Sequence, residues 1–282
     1  MGLTSRTGRL EAGVLSMELP VLIPLVVVGG LLVGSFLTVV ADRVPRGGSI
    51  NRPPSACGEC GLRLGPLDLV PVVSWVALRG RCRRCRNPIG IEPVVIELAN
   101  AAVWVVLALR FHDDDVAVLP AFLVFGSVLV VQTAIDVREH RLPRPITYAG
   151  IGLGAIGLVA AALAVGEPRR IAMAALGAAI ALALIGGIYL ASNAYYGADV
   201  AFGFGDVILS PLLGMYLGWL NPGIVAPGLF FGFVLGTLGA VPALLIGRAD
   251  ARTQLPFGPF LALGALVAVF VGQHFVDFVL GR

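Results

Sequence analysis

The chain has 282 residues, of which 57% are hydrophobic and 13% are charged. Soluble globular domains carry about 25% charged residues, so the composition excludes an ordinary soluble protein and indicates an all-α polytopic membrane protein. The net charge is only +3. That small value argues against a nucleic-acid partner, because nucleic acids bind strongly basic surfaces.

Eight apolar segments are candidates for membrane helices, since a span needs about 20 predominantly apolar residues. The sixth is too short to cross alone, and we expect it to begin as a broken or non-helical segment beside protein or water. Residues 1–18 form an N-terminal tail, in which Met17 is an alternative start. The eight segments are residues 19–41, 94–110, 117–135, 146–165, 171–191, 207–220, 224–247 and 258–280.

Arginine placement predicts the orientation, because arginine and lysine concentrate in cytoplasmic loops. Fourteen of the twenty arginines fall on the side that contains the loop 42–93, and six fall on the other side. Arg169 and Arg170 run against this count without reversing it. We therefore expect both termini outside the cytoplasm, with the loop 42–93 inside.

The loop 42–93 contains two Cys-x-x-Cys pairs separated by 21 residues. Two such pairs supply four thiolates, which is the ligand set of a structural zinc site, here a small zinc-ribbon-like insertion between the first two helices. A reducing cytoplasm disfavours disulfides, and an iron–sulfur cluster or a redox pair is the alternative. The same loop carries an arginine cluster that favours contact with anionic lipid headgroups. The cysteines are Cys57, Cys60, Cys82 and Cys85.

Two aspartates are predicted at the same membrane face. Asp136 ends the third helix, and Asp206 opens the sixth within Gly203-Phe-Gly-Asp206. Acids inside membrane segments are costly and are usually functional, and two adjacent carboxylates can share one proton and hydrolyse a peptide bond. Other interpretations remain open. Asp136 would cap its helix or pair with Arg138 or Arg141, Asp206 would be an N-cap, and Asp199 would replace Asp136 as the partner.

Together these motifs resemble the bacterial prepilin peptidases, the GxGD-type intramembrane aspartyl proteases that are also called type IV leader peptidases. Glu92 stands where that family commonly has tyrosine, and Ile208 stands where it often has lysine. The matching stretches are Gly34-Ser-Phe-Leu-Thr-Val-Val, Arg43-Val-Pro45, the two cysteine pairs, Pro71 to Gly80, Asp136 with Leu142-Pro143, Gly203 to Asp206, and Leu255-Pro-Phe-Gly-Pro-Phe-Leu-Ala262.

The resemblance implies that Asp136 and Asp206 are the catalytic pair of a protease core spanning residues 94–282. It implies that Gly203, Gly205 and Pro143 shape the site. The expected substrates are prepilins or pseudopilins, cut after a glycine that follows a basic leader. Many members also methylate the new N-terminus with S-adenosylmethionine, an activity of the cysteine-bearing region, in which Glu97 would take part.

Two other classes of function remain. A membrane scaffold of a pilus or secretion assembly would keep this fold and tolerate loss of either aspartate. A transporter also uses broken helices and intramembrane acids, although it would place its acids near the midplane and show paired internal repeats. Loss of cleavage on replacing one aspartate separates the protease from both alternatives.

Overall fold

A computed structural model describes residues 18–113, 115–196, 203–245 and 256–281. The N-terminal tail before Glu18, the rival acid Asp199 and the arginines of the loop 246–255 lie outside the described residues. The helices in chain order are α1 (Leu19–Arg43), α2 (Val73–Ala77), α3 (Glu92–Phe111), α4 (Leu119–Glu139), α5 (Arg144–Val165), α6 (Arg169–Tyr196), α7 (Phe204–Leu220), α8 (Val225–Leu245) and α9 (Gly258–Val279).

The predicted set of about eight membrane helices is confirmed. Seven helices in the described part of the chain are long and apolar enough to cross a membrane, and the shorter apolar helix is α7. The short helix α2 belongs to the insertion between α1 and α3. The protein is therefore an all-α multi-pass membrane protein with one extended insertion.

The expectation that the sixth segment begins broken is wrong for the residues described. Helix α7 is regular from Phe204, two residues before Asp206, and Pro211 lies within it. Most of its residues are buried, including Tyr216 and Trp219. Because protein rather than lipid surrounds α7, this helix needs neither the full membrane thickness nor an irregular start.

Glycines bring α7 into backbone contact with α6. A Cβ atom on Gly214 would lie 2.2 Å from the carbonyl oxygen of Gly177, and one on Gly218 would lie 2.5 Å from that of Met173. Helices in membranes pack through such small residues, which let two backbones approach closely. This packing fixes the depth of Asp206, which α7 carries.

An aromatic cluster joins α7 to α3 and α4. Tyr216 stacks on Phe125 with ring centroids 4.4 Å apart, and Phe122 meets Phe111 at 4.4 Å. The Tyr216 hydroxyl donates a hydrogen bond to the Ala121 carbonyl oxygen at 2.8 Å. The contacts hold α4 against α7, the two helices that carry Asp136 and Asp206.

Candidate active site and cysteine cluster

Asp136 lies in the last turn of α4, and its side chain is buried, with only 5% of the residue exposed. Its Oδ2 accepts a hydrogen bond from the backbone N–H of Gly258, at the start of α9, over 3.0 Å. The helix continues past Asp136 to Glu139, so the aspartate is within the helix rather than at its end.

Arg138 does not pair with Asp136. Its guanidinium donates to Glu92 Oε1 at 2.8 Å and to the Ala41 carbonyl oxygen at 2.6 Å, and it also contacts Glu139. No ion pair in the described part of the chain includes Asp136. The interpretation of Asp136 as half of an ion pair with Arg138 or Arg141 is therefore wrong. Arg138 instead ties the end of α4 to the end of α1 and the start of α3.

Asp206 is the third residue of α7 and is 6% exposed. Gly203 occupies the N-cap position, and no side chain caps this helix end. The interpretation of Asp206 as an N-cap is therefore wrong. Its Oδ1 has no hydrogen-bond partner in the described structure. The carboxylate lies close enough to Asp136 for their charges to interact, so the structure brings together the two acids that the sequence singled out.

The segment between α4 and α5 closes the site on one side. Leu142 packs against α7 at Gly205. A Cβ atom added to Gly205 would lie 3.0 Å from the Cβ atom of Leu142. Gln132 donates to the Pro143 carbonyl oxygen at 3.3 Å and to Thr147 Oγ1 at 2.6 Å, which holds this segment against α4 and α5. Gly205 thus lies between Leu142 and Asp206, and Pro143 follows Leu142 in the segment that Gln132 holds. The Gly203 carbonyl oxygen accepts the Asp206 N–H at 3.2 Å.

The carboxylates lie at the end of the bundle that also holds the insertion. The end of α4 contacts the end of α1 and the start of α3 through Arg138, and it contacts the start of α9 through Gly258. The insertion leaves α1 and enters α3 at this same end. The prediction that Asp136, Asp206 and the insertion share one end agrees with these contacts.

The four cysteines of the insertion come from two turns with the same hydrogen bonds. The Cys57 N–H donates to Leu62 O, and the Cys82 N–H donates to Asn87 O, each at 2.9 Å. Positions four residues after Cys57 and Cys82 both have positive φ, 67° at Gly61 and 60° at Arg86. Each turn therefore presents two sulfurs to the same side, which is how paired Cys-x-x-Cys turns form a metal site.

The sulfur atoms fit a tetrahedral metal ion. All four Sγ atoms lie within 4.8 Å of one another. Cys57 and Cys85 are 3.8 Å apart, and Cys60 and Cys82 are 3.9 Å apart. A tetrahedron with metal–sulfur bonds of about 2.3 Å has edges of about 3.8 Å. Backbone N–H groups of Cys85 and Arg84 lower the pKa of the Cys82 thiol to about 6, which favours the thiolate that binds metal.

Glu97 is 5% exposed and anchors the insertion to α3. Its Oε2 accepts the backbone N–H of Val72 at 2.7 Å. It also lines a cavity of about 420 Å³ between α1, α3 and the insertion. A second cavity, of about 340 Å³, shares Thr38 and Pro93 with the first and extends to Arg138. The second cavity therefore lies between the insertion and the last turn of α4.

Sequence reasoning missed the hydrogen bond from Gly258 to Asp136, the packing of Leu142 against Gly205, and the contacts by which Arg138 ties α4 to α1 and α3. Gly258 lies in the Pro-Phe-Gly-Pro segment, which the sequence marks as a motif without indicating its contact. Its contribution is a backbone amide, which any residue except proline possesses. The signal that could have found it is the small glycine between two prolines, at the start of an apolar helix and at the predicted membrane face of the aspartates.

Comparisons with a family profile and with known proteins agree with each other. A profile of the bacterial peptidase A24 N-terminal domain matches residues 28–111. The protein named prepilin leader peptidase/N-methyltransferase of Burkholderia pseudomallei (strain 1026b) is 33% identical to this chain, over 88% of this chain and 85% of the relative.

Proteins of the same name from Pseudomonas putida and Bacillus subtilis (strain 168) are 30% and 28% identical, covering 92% and 88% of this chain and 94% of each relative. No solved structure matches the chain significantly. The aligned share of both chains is high enough that the likeness applies to the membrane core as well as to the insertion. This chain belongs to the prepilin leader peptidase/N-methyltransferase family.

Proposed function

We propose that this protein is an intramembrane aspartyl endopeptidase that removes the basic leader from type IV prepilins or pseudopilins. The observation that carries the proposal is the pair Asp136 and Asp206, two buried carboxylates that interact with each other and form no ion pair with an arginine among the described residues. Relatives named for prepilin processing support the choice of substrate.

The pair supports acid–base hydrolysis. Two neighbouring carboxylates share one proton, because both cannot be charged without strong repulsion. The ionised carboxylate takes a proton from water, whose oxygen attacks the carbonyl carbon of the scissile peptide. The protonated carboxylate hydrogen-bonds the carbonyl oxygen. The carbon–nitrogen bond then breaks as a proton passes to the leaving amine, and the pair returns to its starting state.

We assign the carboxylates to the cytoplasmic face of a bacterial inner membrane. The support is the arginine count, which assigns the loop 42–93 to the cytoplasm, together with the contacts that join this insertion to the end of α4. Water reaches an acid at a membrane face more readily than one at the midplane. On this orientation both termini lie outside the cytoplasm.

We propose methylation of the new N-terminus as a second activity, with the methyl donor held in the cavity of about 420 Å³. Its volume lies within the range of about 300–1,000 Å³ that small-molecule sites occupy. Glu59, Asp68 and Glu97 line it, with Arg83 as the charged counterpart, so its negative surplus suits a cation. S-adenosylmethionine, when bound, supplies a methyl group on a positively charged sulfur. Trp75 offers an aromatic surface, and the Glu97 carboxylate offers an acceptor for an amine proton or a hydroxyl.

We propose zinc as the metal of the cysteine cluster. Cys57, Cys60, Cys82 and Cys85 would hold it with four thiolates, the donor set of structural zinc sites. The sulfur spacing supports this assignment. The role of the site is to hold the two turns of the insertion together above α1 and α3.

The test of the peptidase is Asp136→Asn, expressed together with a candidate prepilin. We expect the prepilin to keep its leader, because the amide cannot exchange the proton that hydrolysis requires, and mass spectrometry of the recovered pilin measures this. Asp115→Asn is the matched control, since it replaces an acid at the opposite end of the bundle. Normal processing by Asp136→Asn, in a membrane-inserted protein, would favour a scaffold and reject the proposal.

A further inference from the structure

The Pro-Phe-Gly-Pro segment, residues 256–259, begins helix α9 and lies against the carboxylate pair. We propose that this segment positions Asp136 for catalysis, with the Gly258 backbone amide as the donor that orients the carboxylate. The inference rests on the aspartyl mechanism proposed above and adds a positioning residue to it.

The contact is a hydrogen bond from the Gly258 N–H to Asp136 Oδ2, 3.0 Å long and buried. Gly258 is the first residue of α9. The first N–H groups of a helix have no acceptor within it, so this amide is available for a carboxylate. In the described part of the chain it is the one hydrogen bond that the Asp136 carboxylate makes, and it fixes one of the two carboxylate oxygens.

The space at Gly258 admits a side chain only if neighbouring side chains move. A Cβ atom there would lie 2.8 Å from Asp136 Oδ2 and 3.0 Å from Leu142 Cδ2. Leu142 in turn packs against Gly205, one residue before Asp206. A side chain at position 258 would therefore displace both the Asp136 carboxylate and Leu142, the residue that packs against α7 beside Asp206.

The segment is held from the other side by α8. The ring of Phe257 lies 4.9 Å from that of Phe233, centroid to centroid. A Cβ atom on Gly236 would lie 2.8 Å from Phe257 Cε2, so this ring fits against the α8 backbone. Pro256 and Pro259 each have a fixed φ. The donor amide is thus fixed by α8 and by two rigid residues, which is what positioning a catalytic group requires.

The test is Gly258→Ala, measured as steady-state cleavage of a prepilin by the purified protein. The added methyl group displaces the carboxylate, and a displacement of about 1 Å costs about a hundredfold in kcat. We expect KM to change by less than about twofold, because Gly258 contacts the carboxylate and not a substrate-docking surface. Gly152→Ala on α5 is the control, since nothing lies within 4 Å of its Cβ position.

A double-mutant cycle with Leu142→Ala separates the carboxylate contact from packing. Leu142→Ala removes the leucine atoms that crowd Gly258 but leaves Asp136 Oδ2 in place. We expect Gly258→Ala to lower kcat by about the same factor in both backgrounds. If Leu142→Ala restores the Gly258→Ala protein to the rate of Leu142→Ala alone, the glycine serves packing and the proposal fails.

Thermal melting in detergent distinguishes positioning from folding. We expect Gly258→Ala to melt close to the unmodified protein. If it does not fold, Phe257→Leu loosens the segment without adding atoms near Asp136, and we expect a kcat loss of about tenfold at unchanged KM. Unmodified kcat in Phe257→Leu, or in a folded Gly258→Ala, overturns the inference.

Failure of this inference is distinguishable from failure of the proposed function. An Asp136→Asn protein that still cleaves removes the aspartyl mechanism, whatever Gly258 does. An inactive Asp136→Asn beside a fully active Gly258→Ala keeps the mechanism and removes only the positioning role.

Discussion

The two ends of the helix bundle treat their acids in opposite ways. At the end away from the insertion, Arg170 donates to both carboxylate oxygens of Asp115, at 2.9 and 3.0 Å. The same arginine contacts Glu167 and lies over the Trp219 ring at 5.5 Å. At the end with the insertion, Asp136 accepts one backbone hydrogen bond, and Asp206 Oδ1 has no partner in the described structure.

This difference indicates which acids are structural. Asp115 is only half-buried and is paired with a cation, so its partial burial costs little, and the ion pair ties α6 to the segment before α4. Asp136 and Asp206 are buried and form no ion pair in the described part of the chain, and burying such groups costs several kcal/mol unless they share a proton. Ionisable groups that are buried in a membrane protein at such a cost are usually functional, so Asp136 and Asp206 are expected to take part in the chemistry.

The largest expected effect is the loss of the carboxylate pair. Asp136→Asn and Asp206→Asn should each lower kcat by about 10²–10⁴-fold, the contribution typical of acid–base groups. The double variant should be no slower than either single variant, because the two carboxylates act as one unit. Single-turnover cleavage by purified proteins measures all three. Losses that multiply in the double variant would mean that the aspartates act independently.

A smaller effect on cleavage is expected from changing the cysteine cluster, which lies at the same end of the protein as the carboxylates but outside the helix bundle. Cys57→Ser with Cys85→Ser should reduce bound zinc from about one ion per chain to almost none, because two ligands of a tetrahedral site are lost. Metal analysis of the purified protein measures this. Binding of S-adenosylmethionine, measured by calorimetry, should weaken with it, since cluster residues line the same cavity.

An unmodified protein that contains no zinc would contradict the metal assignment. A zinc-free double variant that still binds S-adenosylmethionine with unchanged affinity would contradict the placement of the methyl donor. Cleavage of the leader should fall less than in the aspartate variants, because the cluster does not contact Asp136 or Asp206 in the described structure.

Arg138→Gln sharpens the comparison at the end with the insertion. It removes the charged contacts with Glu92 and Glu139 and weakens the bond to the Ala41 carbonyl oxygen. We expect kcat for cleavage to fall about tenfold, because the last turn of α4, which carries Asp136, loses its attachment to α1 and α3. Arg141→Gln is the matched control, an exposed arginine of the same segment. Equal rates for the two variants would show that this attachment does not support the site.

The smallest effect on cleavage is expected at the opposite end. Asp115→Asn should leave kcat unchanged and lower stability by about 1–2 kcal/mol, between the values for exposed and buried ion pairs. Thermal melting in detergent and cleavage kinetics measure the two quantities. A loss of cleavage without a loss of stability would remove the distinction between structural and catalytic acids on which the comparison rests.

Much of the fold was predictable because apolar run length reports membrane helices directly. The predicted segment 258–280 and the observed helix Gly258–Val279 differ by one residue at one end. The meeting of Asp136 and Asp206 was predictable from topology, because counting arginines assigned both to one face. The exception is the start of α7. The apolar segment 207–220 is too short to cross a membrane, which suggested that it begins as a broken or non-helical segment. The structure shows a buried regular helix, whose neighbours supply the protein surroundings that the sequence does not display.

The contacts that complete the site were not predictable from the sequence. Gly258 reaches Asp136 through a backbone amide 122 positions along the chain, and no periodic pattern records such a contact. The contacts of Arg170 were equally unpredictable. In the sequence it was only an exception to the arginine rule, because it falls on the side assigned to the exterior. Arg170 forms ion pairs with Asp115 and Glu167. These contacts give it a structural use in the helix bundle that is independent of the membrane orientation.

The most direct test of the carboxylate pair is cleavage of a purified prepilin by purified Asp206→Asn protein, followed by mass spectrometry of the pilin N-terminus. The protein must melt like the unmodified one in the same detergent. We predict that the unmodified protein releases the leader and that the Asp206→Asn protein leaves the prepilin intact. Release of the leader by Asp206→Asn at the unmodified rate would contradict the assignment of Asp136 and Asp206 as the catalytic pair.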